Sequence, residues 1–308
     1  MKINKENLYL DMIDKERNIY EPAQLYEQNR INVKEYIELL RDPESETELK
    51  LSDDEQFLIG EQNYPIQSNV PSFTKENFTN KNWKTLNEQF LNYHKSLSVY
   101  TAVNSLPIVN YLADKTGFGH IKSGKVLDIG GGTGHTQCSF FHFPEKLEYF
   151  LLDPNIRLLH DQFLRIYPKL SFLKMAHIKA NAEYLPVKND TFEYVISLSA
   201  VDHFNDYKKF ISEAYRVLKP NGKFLLTSHL DISESGEDKT SFRSKIFSRS
   251  ILERITRYLY FKKHAVGDDD HTLHIENQDE LENQMSKVGF QIEKSEIFKR
   301  HFYIIGVK

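Results

Sequence analysis

The sequence predicts an α/β protein in which a small α+β module precedes a doubly wound sheet. Residues 125–134, KVLDIGGGTG, are a β-prone run that passes into a glycine-rich loop. Further strand-like runs follow, separated by turns that contain glycine and proline. Residues 48–59 hold shorter strand patterns of a different kind. We therefore place the module at residues 1–75 and the larger domain at residues 76–308.

The glycine-rich loop begins directly after Asp128. Gly130, Gly131 and Gly132 follow, and Gly134 completes the pattern D-x-G-x-G-x-G. Glycine has no Cβ and tolerates positive φ, so the backbone can turn sharply and lie against a ligand. In open α/β sheets such a loop forms a pocket at the carboxyl end of its strand. A dinucleotide-binding dehydrogenase would have G-x-G-x-x-G, which this spacing does not give.

Three further motifs follow the loop in a fixed order. The first is a second strand that ends in an acid, which is placed to hydrogen-bond both hydroxyls of a ribose. The second carries an amide before a short turn, and the third is a fourth strand followed by A-V-D-H-F. The motifs are residues 149–153, ending in Asp153; residues 179–186, containing Asn181; and residues 192–204.

This series resembles the class I S-adenosylmethionine-dependent methyltransferases, in particular the small-molecule branch that includes the quinone-methylating enzymes. The resemblance covers residues 90–308 and implies a seven-stranded sheet with an antiparallel last strand. It implies that the glycines hold the methionine part of S-adenosylmethionine, Asp153 its ribose, and Asn181 with Ala182 its adenine. The family usually has aspartate at position 181, but an amide oxygen also accepts a hydrogen bond. The implied cofactor residues are Asp128, Gly130, Gly131, Gly132, Asp153, Asn181, Ala182 and Ser199.

The family pattern closes with a helix and a β-hairpin, which the sequence places at residues 278–307, with Gly289 as the helix stop. Residues 230–272 are therefore an insertion, which we expect to cover the ligand crevice. Within it, residues 241–263 are basic and have apolar side chains on one face. This part is either an ordinary packed helix or a peripheral contact with an anionic membrane or a phosphate-bearing substrate.

Histidines at the strand ends are the candidate catalytic groups. A hydroxyl acceptor must lose a proton, and histidine accepts protons near neutral pH. His203 directly follows the fourth strand, and Asp202 either orients it or caps the next helix. His271 lies where the insertion rejoins the fold and is the second candidate. Each histidine can equally be structural. No compact set of carboxylates has metal-ligand spacing, so we expect no catalytic metal.

The N-terminal module resembles the small zinc ribbon related to the activator subunit of tRNA methyltransferases. That ribbon usually has L-x-C-P-x-C at its first turn and a second cysteine pair before a Y-P-I element. Here Asp42 and Ser45 stand at the first pair of positions, and the second pair is absent. Structural zinc needs four ligands, so we expect a metal-free ribbon stabilised by docking on the larger domain. The alternative is an irregular N-terminal arm.

Composition limits the partners. The net charge of −4 gives no overall attraction to nucleic acid. The segment 199–202, S-A-V-D, lacks the Asn/Asp-Pro-Pro-aromatic motif of enzymes that methylate adenine amino groups. The single cysteine, Cys138, lies after the glycine loop rather than in the pocket, where a cytosine C5 enzyme needs its nucleophile. Nucleic acid is therefore disfavoured. One cysteine and no apolar leader run favour a cytoplasmic enzyme.

The sequence thus predicts methyl transfer from S-adenosylmethionine to a small molecule, at oxygen, in secondary metabolism or surface glycan synthesis. One alternative is a lipid-linked or membrane-embedded acceptor, favoured by the basic segment 241–263. Another is a cofactor-binding scaffold or regulatory protein without turnover, favoured by Asn181 and the missing zinc ligands. The sequence indicates no particular oligomeric state.

Overall fold

A computed structural model gives the three-dimensional structure of most of the chain. It describes residues 28–74, 109, 111–132, 134, 140–143, 146–154, 174–230, 273, 275–298 and 301–308. His271 and most of the insertion, including residues 241–263, lie outside the described residues.

A seven-stranded mixed sheet forms the centre of the larger domain. Its strand order is β10-β11-β9-β8-β5-β6-β7. Neighbouring strands in the run β9-β8-β5-β6-β7 are parallel, and β11 is antiparallel to both β9 and β10. The predicted α/β sheet with an antiparallel last strand is confirmed. The strands are β5 (Gly124–Ile129), β6 (Leu147–Leu152), β7 (Lys174–Ile178), β8 (Phe192–Leu198), β9 (Leu218–His229), β10 (Gln291–Phe298) and β11 (His301–Val307).

Both faces of this sheet are covered, because successive side chains of a strand point to opposite sides. Val126 packs into a cluster with Phe118 and Phe140 on one face. Its neighbour Leu127 packs into a second cluster on the other face, together with Phe210 and the other apolar side chains of two helices. These two helices are α2 (Tyr207–Val217) and α3 (Asp279–Val288), and the shorter α1 (Val33–Tyr36) lies in the N-terminal module.

The helix ends show the expected chemistry. The side chain of Asp206 accepts the backbone N–H of Lys209 at 2.9 Å and so caps the start of α2. Asp202 does not cap this helix, so that part of the sequence interpretation is wrong. At the end of α3, Gly289 adopts φ 119° and donates its N–H to the carbonyl oxygen of Met285 at 3.2 Å. The predicted helix stop at Gly289 is confirmed.

The N-terminal residues form a small α+β module with a four-stranded antiparallel sheet. The sheet has the order β1-β2-β3-β4, so each strand pairs with the next along the chain. A capping box at Asn32 and Glu35 starts the single helical turn. An irregular arm is therefore the wrong interpretation for residues 28–74. The elements are α1 (Val33–Tyr36), β1 (Lys50–Leu51), β2 (Phe57–Ile59), β3 (Asn63–Gln67) and β4 (Val70–Pro71).

The module docks along β7, the outer strand of the large sheet. The backbone N–H of Ile31 donates to Met175 at 2.9 Å, and that of Phe73 donates to Lys179 at 2.7 Å. The buried Tyr36 ring meets Phe150 edge to face, with ring centroids 5.7 Å apart. The module shares one hydrophobic cluster with the large domain. This shared core compensates for the small amount of surface that so short a module can bury alone.

Asp42 joins two turns inside the module. Its Oδ1 accepts the backbone N–H groups of Glu44 at 2.8 Å and Ser45 at 3.2 Å, and its Oδ2 accepts that of Glu61 at 2.8 Å. Burial alone would raise the pKa of this carboxyl, but these hydrogen bonds and one from Tyr64 outweigh burial and lower it. The ionised side chain thus fastens the turn at 42–45 to the turn at 60–61.

None of the helices in the described ranges is both long enough and apolar enough to cross a membrane.

Candidate active site

The candidate site lies at the carboxyl edge of the parallel strands. Because β5, β6, β7 and β8 run in the same direction, the residues that follow them reach the same edge. Asp153 follows β6, Asn181 lies three residues beyond β7, and Ser199 directly follows β8. The sheet therefore places the four sequence motifs along one edge, beside the glycine loop.

The glycine loop adopts the backbone conformation for which its composition is suited. Gly130 and Gly132 have φ values of +74° and +57°, in the left-handed region. The N–H of Gly130 donates to the carbonyl oxygen of Leu152 at 2.8 Å, and the N–H of Gly134 donates to that of Gly131 at 2.8 Å. These bonds hold the loop against the end of β6.

The space around the three glycines differs from one to the next. A Cβ at Gly130 would lie 2.7 Å from the Cβ of Ala200, and one at Gly131 would overlap Asp128. A Cβ at Gly132 would meet no atom of the described residues within 4 Å. The loop is thus packed on its inner side and open at Gly132, where a ligand can approach the backbone.

Asp128 is a buried acid behind the loop. The hydroxyl group of Tyr149 donates to its Oδ2, and within the described part of the chain its Oδ1 has no hydrogen-bond partner. Burial raises the pKa of Asp128 to about 8; the Tyr149 hydrogen bond lowers it and the nearby Asp153 charge raises it. Burial therefore disfavours the charged form of this carboxyl, which a cation close to it would favour. The sequence interpretation missed Tyr149, which lies on the same sheet face as Asp128 in the neighbouring strand.

Asp153 contacts the glycine loop directly. Its Oδ2 accepts the N–H of Gly132 at 3.0 Å, while its own N–H donates to the carbonyl oxygen of Ile178 at 3.2 Å. The side chain is half-buried. The acid that the sequence assigns to a ribose thus lies at the open part of the loop, within reach of a ligand bound there.

Asn181 and Ala182 are buried at the end of β7. The carbonyl oxygen of Asn181 accepts the N–H of Tyr184 at 3.2 Å, which forms the turn predicted after it. Asn181 also lines a cleft of about 370 Å³, together with Arg41 and Phe73 of the N-terminal module. The N-terminal module therefore forms one wall of the space beside the predicted adenine position.

Ser199 stands at the tip of β8 in an unusual conformation. Its φ is 53°, in the left-handed region that non-glycine residues seldom adopt. Its N–H donates to the carbonyl oxygen of Thr227 at 2.8 Å, and its side chain is exposed. Such conformations are found disproportionately at ligand-binding sites.

Asp202 and His203 form a 3₁₀ turn (Val201–His203) that packs near the glycine loop. The ring of the next residue, Phe204, would lie 3.0 Å from a Cβ at Gly130. His203 is mostly buried, and its Nε2 lies 4.0 Å from Asp202 Oδ1, which is too far for a direct hydrogen bond. The carbonyl oxygen of Asp202 accepts the N–H of Leu273, where the insertion rejoins the fold.

The structure thus brings all but one of the predicted site residues to one edge of the sheet; the exception, His271, lies outside the described residues. A buried acid, a loop with open backbone and a second acid lie together at this edge. Ala200 and Phe204, which flank the His203 turn, pack against Gly130 of the loop. These groups can bind, orient and accept a proton.

Comparison with known proteins identifies the family. The family described as methyltransferase domain matches residues 104–295, well over half of the chain. A ubiquinone/menaquinone biosynthesis C-methyltransferase of Blochmanniella floridana is 31% identical over 173 residues, which are 54% of this chain and 65% of that protein. A 2-methyl-6-phytyl-1,4-hydroquinone methyltransferase of Oryza sativa is 34% identical over 98 residues, 32% of this chain and 28% of that protein. The chain thus spans less than two thirds of these relatives.

A solved structure of a methyltransferase from Thermotoga maritima, described as a possible histamine N-methyltransferase, is also similar. It has a TM-score of 0.43 and 20% identity, and the match covers 73% of this chain and 99% of that one. On the strength of the family match, the chain belongs to the methyltransferase-domain family, and its cofactor is S-adenosylmethionine.

Proposed function

We propose that the protein transfers a methyl group from S-adenosylmethionine to an oxygen atom of a hydroxyl-bearing small molecule. Membership of the family supports methyl transfer. The observation that supports a proton-accepting step is the position of His203 in a turn whose flanking residues, Ala200 and Phe204, pack against Gly130 of the glycine loop. A hydroxyl becomes a good nucleophile when its proton has a nearby acceptor.

The residues at the strand ends have separate roles in this proposal. The cofactor supplies an electrophilic methyl group on a positively charged sulfur. The open backbone at Gly132 lies along its methionine part, and Asp153 accepts hydrogen bonds from the ribose. Asn181 and Ala182 border the adenine, and Ser199 lies at the tip of β8. The buried Asp128 carboxyl accepts the Tyr149 hydroxyl behind the loop and so supports the loop from the protein side.

His203 is the proposed general base. Alignment of the two reactants and exclusion of water supply much of the rate of a methyl transfer. The base adds to this by taking the proton of the acceptor hydroxyl. Asp202 is a positioning residue, because its carbonyl oxygen holds the turn that carries the histidine and its carboxylate lies 4.0 Å from the ring. His271 remains the second candidate base.

A second candidate function is methylation at carbon. The relatives' names, a quinone biosynthesis C-methyltransferase and a phytyl-hydroquinone methyltransferase, favour it. Removal of a ring hydroxyl proton increases the electron density of the neighbouring ring carbon, so His203 would serve here too. These names also favour a lipid-linked acceptor over a secondary metabolite or a surface-glycan precursor. In that case the basic segment 241–263 is the proposed contact with an anionic surface. Cofactor binding without turnover is the remaining alternative.

We also propose that the N-terminal module, residues 1–75, is a ribbon-like unit without zinc. Asp42 stands at the first cysteine position of the ribbon pattern, and its carboxylate already accepts three backbone N–H groups. The Asp42 carboxylate thus joins two turns that a zinc ribbon joins through its metal ion. The methyltransferase domain then comprises residues 76–308, with residues 230–272 as the cover of the crevice.

The experiment that tests the function is transfer of an isotopically labelled methyl group. The full chain is incubated with labelled S-adenosylmethionine and a panel of phenols, hydroquinones and prenylated hydroquinones, and the products are examined by NMR. A methyl group on oxygen supports the first proposal. A methyl group on carbon replaces it by the second candidate. Tight cofactor binding with no transfer to any acceptor supports the scaffold alternative and overturns both.

Asp153→Ala should weaken the binding of S-adenosylmethionine by about 1.5 to 3 kcal/mol, the range for a hydrogen bond to a charged group. The physical reason is loss of the ribose acceptor at the open part of the loop. Calorimetry measures the affinity, with Asp190→Ala, which removes an exposed acid distant from the loop, as the matched control. An unchanged affinity in Asp153→Ala would show that the ribose is held elsewhere.

A further inference from the structure

Three side chains that the proposed reaction does not use lie together at the other edge of the sheet. Asp114 and His120 precede β5, and His142 precedes β6. They therefore gather at the amino ends of the strands, whereas the glycine loop lies at the carboxyl ends. Among the described residues, this is the group of three potential metal ligands whose donor atoms all lie within 4.8 Å of one another.

The separations of the donor atoms match a metal site. The Oδ1 atom of Asp114 lies 3.1 Å from Nε2 of His142 and 3.5 Å from Nε2 of His120. Tetrahedral zinc has bonds of about 2.0–2.1 Å to nitrogen and oxygen, so its ligand atoms are about 3.3 Å apart. The two distances from Asp114 are already close to this value. A small rotation of the two imidazole rings, whose centroids are 4.8 Å apart, brings the distance between their Nε2 atoms to the same value.

The backbone around the cluster is already fixed. The N–H of His142 donates to the carbonyl oxygen of Gly119 at 2.8 Å, which joins the two histidine-bearing loops. A Cβ at position 119 would lie 3.0 Å from Nε2 of His142, so glycine there leaves room for the ring. The Thr116 hydroxyl donates to the carbonyl oxygen of Leu112 at 2.6 Å and holds the end of the helical segment that carries Asp114. The ligands therefore lie on segments whose relative positions are set.

We propose that Asp114, His120 and His142 bind one divalent transition-metal ion of the zinc type, with water as the fourth ligand. Two imidazoles and one carboxylate suit zinc, cobalt or nickel better than magnesium or calcium, which prefer oxygen ligands alone. The ion joins the helical segment 111–116 to the two loops that enter β5 and β6. All three side chains are exposed, so the ion enters and leaves from solvent. It stabilises this edge of the sheet and takes no part in the reaction at the opposite edge.

The alternative without metal is a carboxylate that accepts hydrogen bonds from the Nε2–H groups of both imidazoles. That arrangement also places both ring nitrogens near Asp114, and it requires no ion. The two arrangements differ at Nε2: zinc binding takes the lone pair of this nitrogen, whereas the hydrogen-bonded arrangement keeps its proton.

Calorimetry with Zn²⁺ and visible absorption with Co²⁺ test the proposal on the full-length chain carrying no histidine tag. We expect one equivalent to bind and Co²⁺ to show the intense absorption of a low-coordinate site. His120→Ala and His142→Ala each remove a ligand, so each should weaken binding by more than roughly 100-fold, because loss of a group that only orients a ligand already costs roughly 10- to 100-fold. Glu148→Gln, which changes an exposed acid at the start of β6 paired with Lys125, is the control and should bind as the unaltered chain does.

Two results would overturn the proposal. One is the absence of Zn²⁺ binding to the unaltered chain. The other is binding that all three variants retain equally, which would place the ion on other histidines. Because the mutated side chains are exposed, circular dichroism should show each variant folded. A rise of the thermal unfolding temperature with Zn²⁺ in the control, absent in His120→Ala and His142→Ala, gives a readout independent of activity.

Discussion

His203→Ala is expected to lower the rate of methyl transfer by about 10²- to 10⁴-fold, the usual contribution of a general base. The affinity for S-adenosylmethionine should remain nearly unchanged, because the cofactor residues lie at the ends of β5, β6, β7 and β8 and not in the His203 turn itself. Steady-state kinetics separate the two effects: kcat falls, while cofactor binding measured by calorimetry does not. Activity of the unaltered enzyme should also fall at acidic pH, since a protonated imidazole cannot accept a proton.

Two controls distinguish a base from a structural histidine. Added imidazole should restore part of the rate of His203→Ala, because a small base can occupy the space of the missing ring. Asp202→Asn should lower the rate less than His203→Ala, since it affects only the position of the turn. Full activity in His203→Ala would contradict the assignment and would indicate either His271 as base or an acceptor that needs none.

Asp42→Ala is expected to lower the free energy of unfolding by about 3 kcal/mol or more. The substitution removes the charged acceptor of the part-buried N–H groups of Glu44, Ser45 and Glu61, and a hydrogen bond to a charged group contributes about 1.5 to 3 kcal/mol. Urea unfolding followed by circular dichroism measures the loss. Asp53→Ala, an exposed acid in the same module, is the matched control and should change the stability by less than about 0.5 kcal/mol.

The same interaction has a defined pH dependence. Because the pKa of Asp42 is lowered on folding, its contribution is fully present above the pKa of an unfolded aspartate, about 3.9. It is lost as the pH falls through the still lower pKa of the folded state. The stability difference between the unaltered chain and Asp42→Ala should therefore shrink below about pH 4. A difference that is constant across this range would show that the carboxylate charge is not what holds the two turns.

Local patterns predicted most of the larger domain. The strand at 126–129 was recognised because β-prone residues lead into glycines whose left-handed φ only glycine adopts easily. Pro220, Asn221 and Gly222 are typical of a turn, yet they lie inside β9, which begins at Leu218. The cause is tertiary: the N–H of Asn221 donates to the carbonyl oxygen of Lys308 at 2.9 Å. Pairing with the distant C-terminus thus extends the strand across the turn.

The features that escaped prediction depend on residues far apart in the chain. Tyr149 donates to Asp128 across 21 positions, and the carboxylate of Asp42 accepts an N–H 19 positions away. Asp114 and His142 are separated by 28 positions. Periodicity and turn chemistry describe neighbours along the chain, so they cannot indicate which polar groups the sheet will bring together. Strand register, once known, indicates the Tyr149 contact directly.

The docking of the N-terminal module on β7 has a consequence for biosynthesis. The Tyr36 hydroxyl donates to the carbonyl oxygen of His177, a separation of 141 positions. At roughly 5 to 20 residues per second, a ribosome needs on the order of 10 s to produce the partner strand after the module has been made. Throughout that interval the emerging module has nothing to dock on, and its apolar face is available to chaperones. Completion of the large sheet, rather than the module's own sequence, therefore sets the time at which the first part of the chain becomes native.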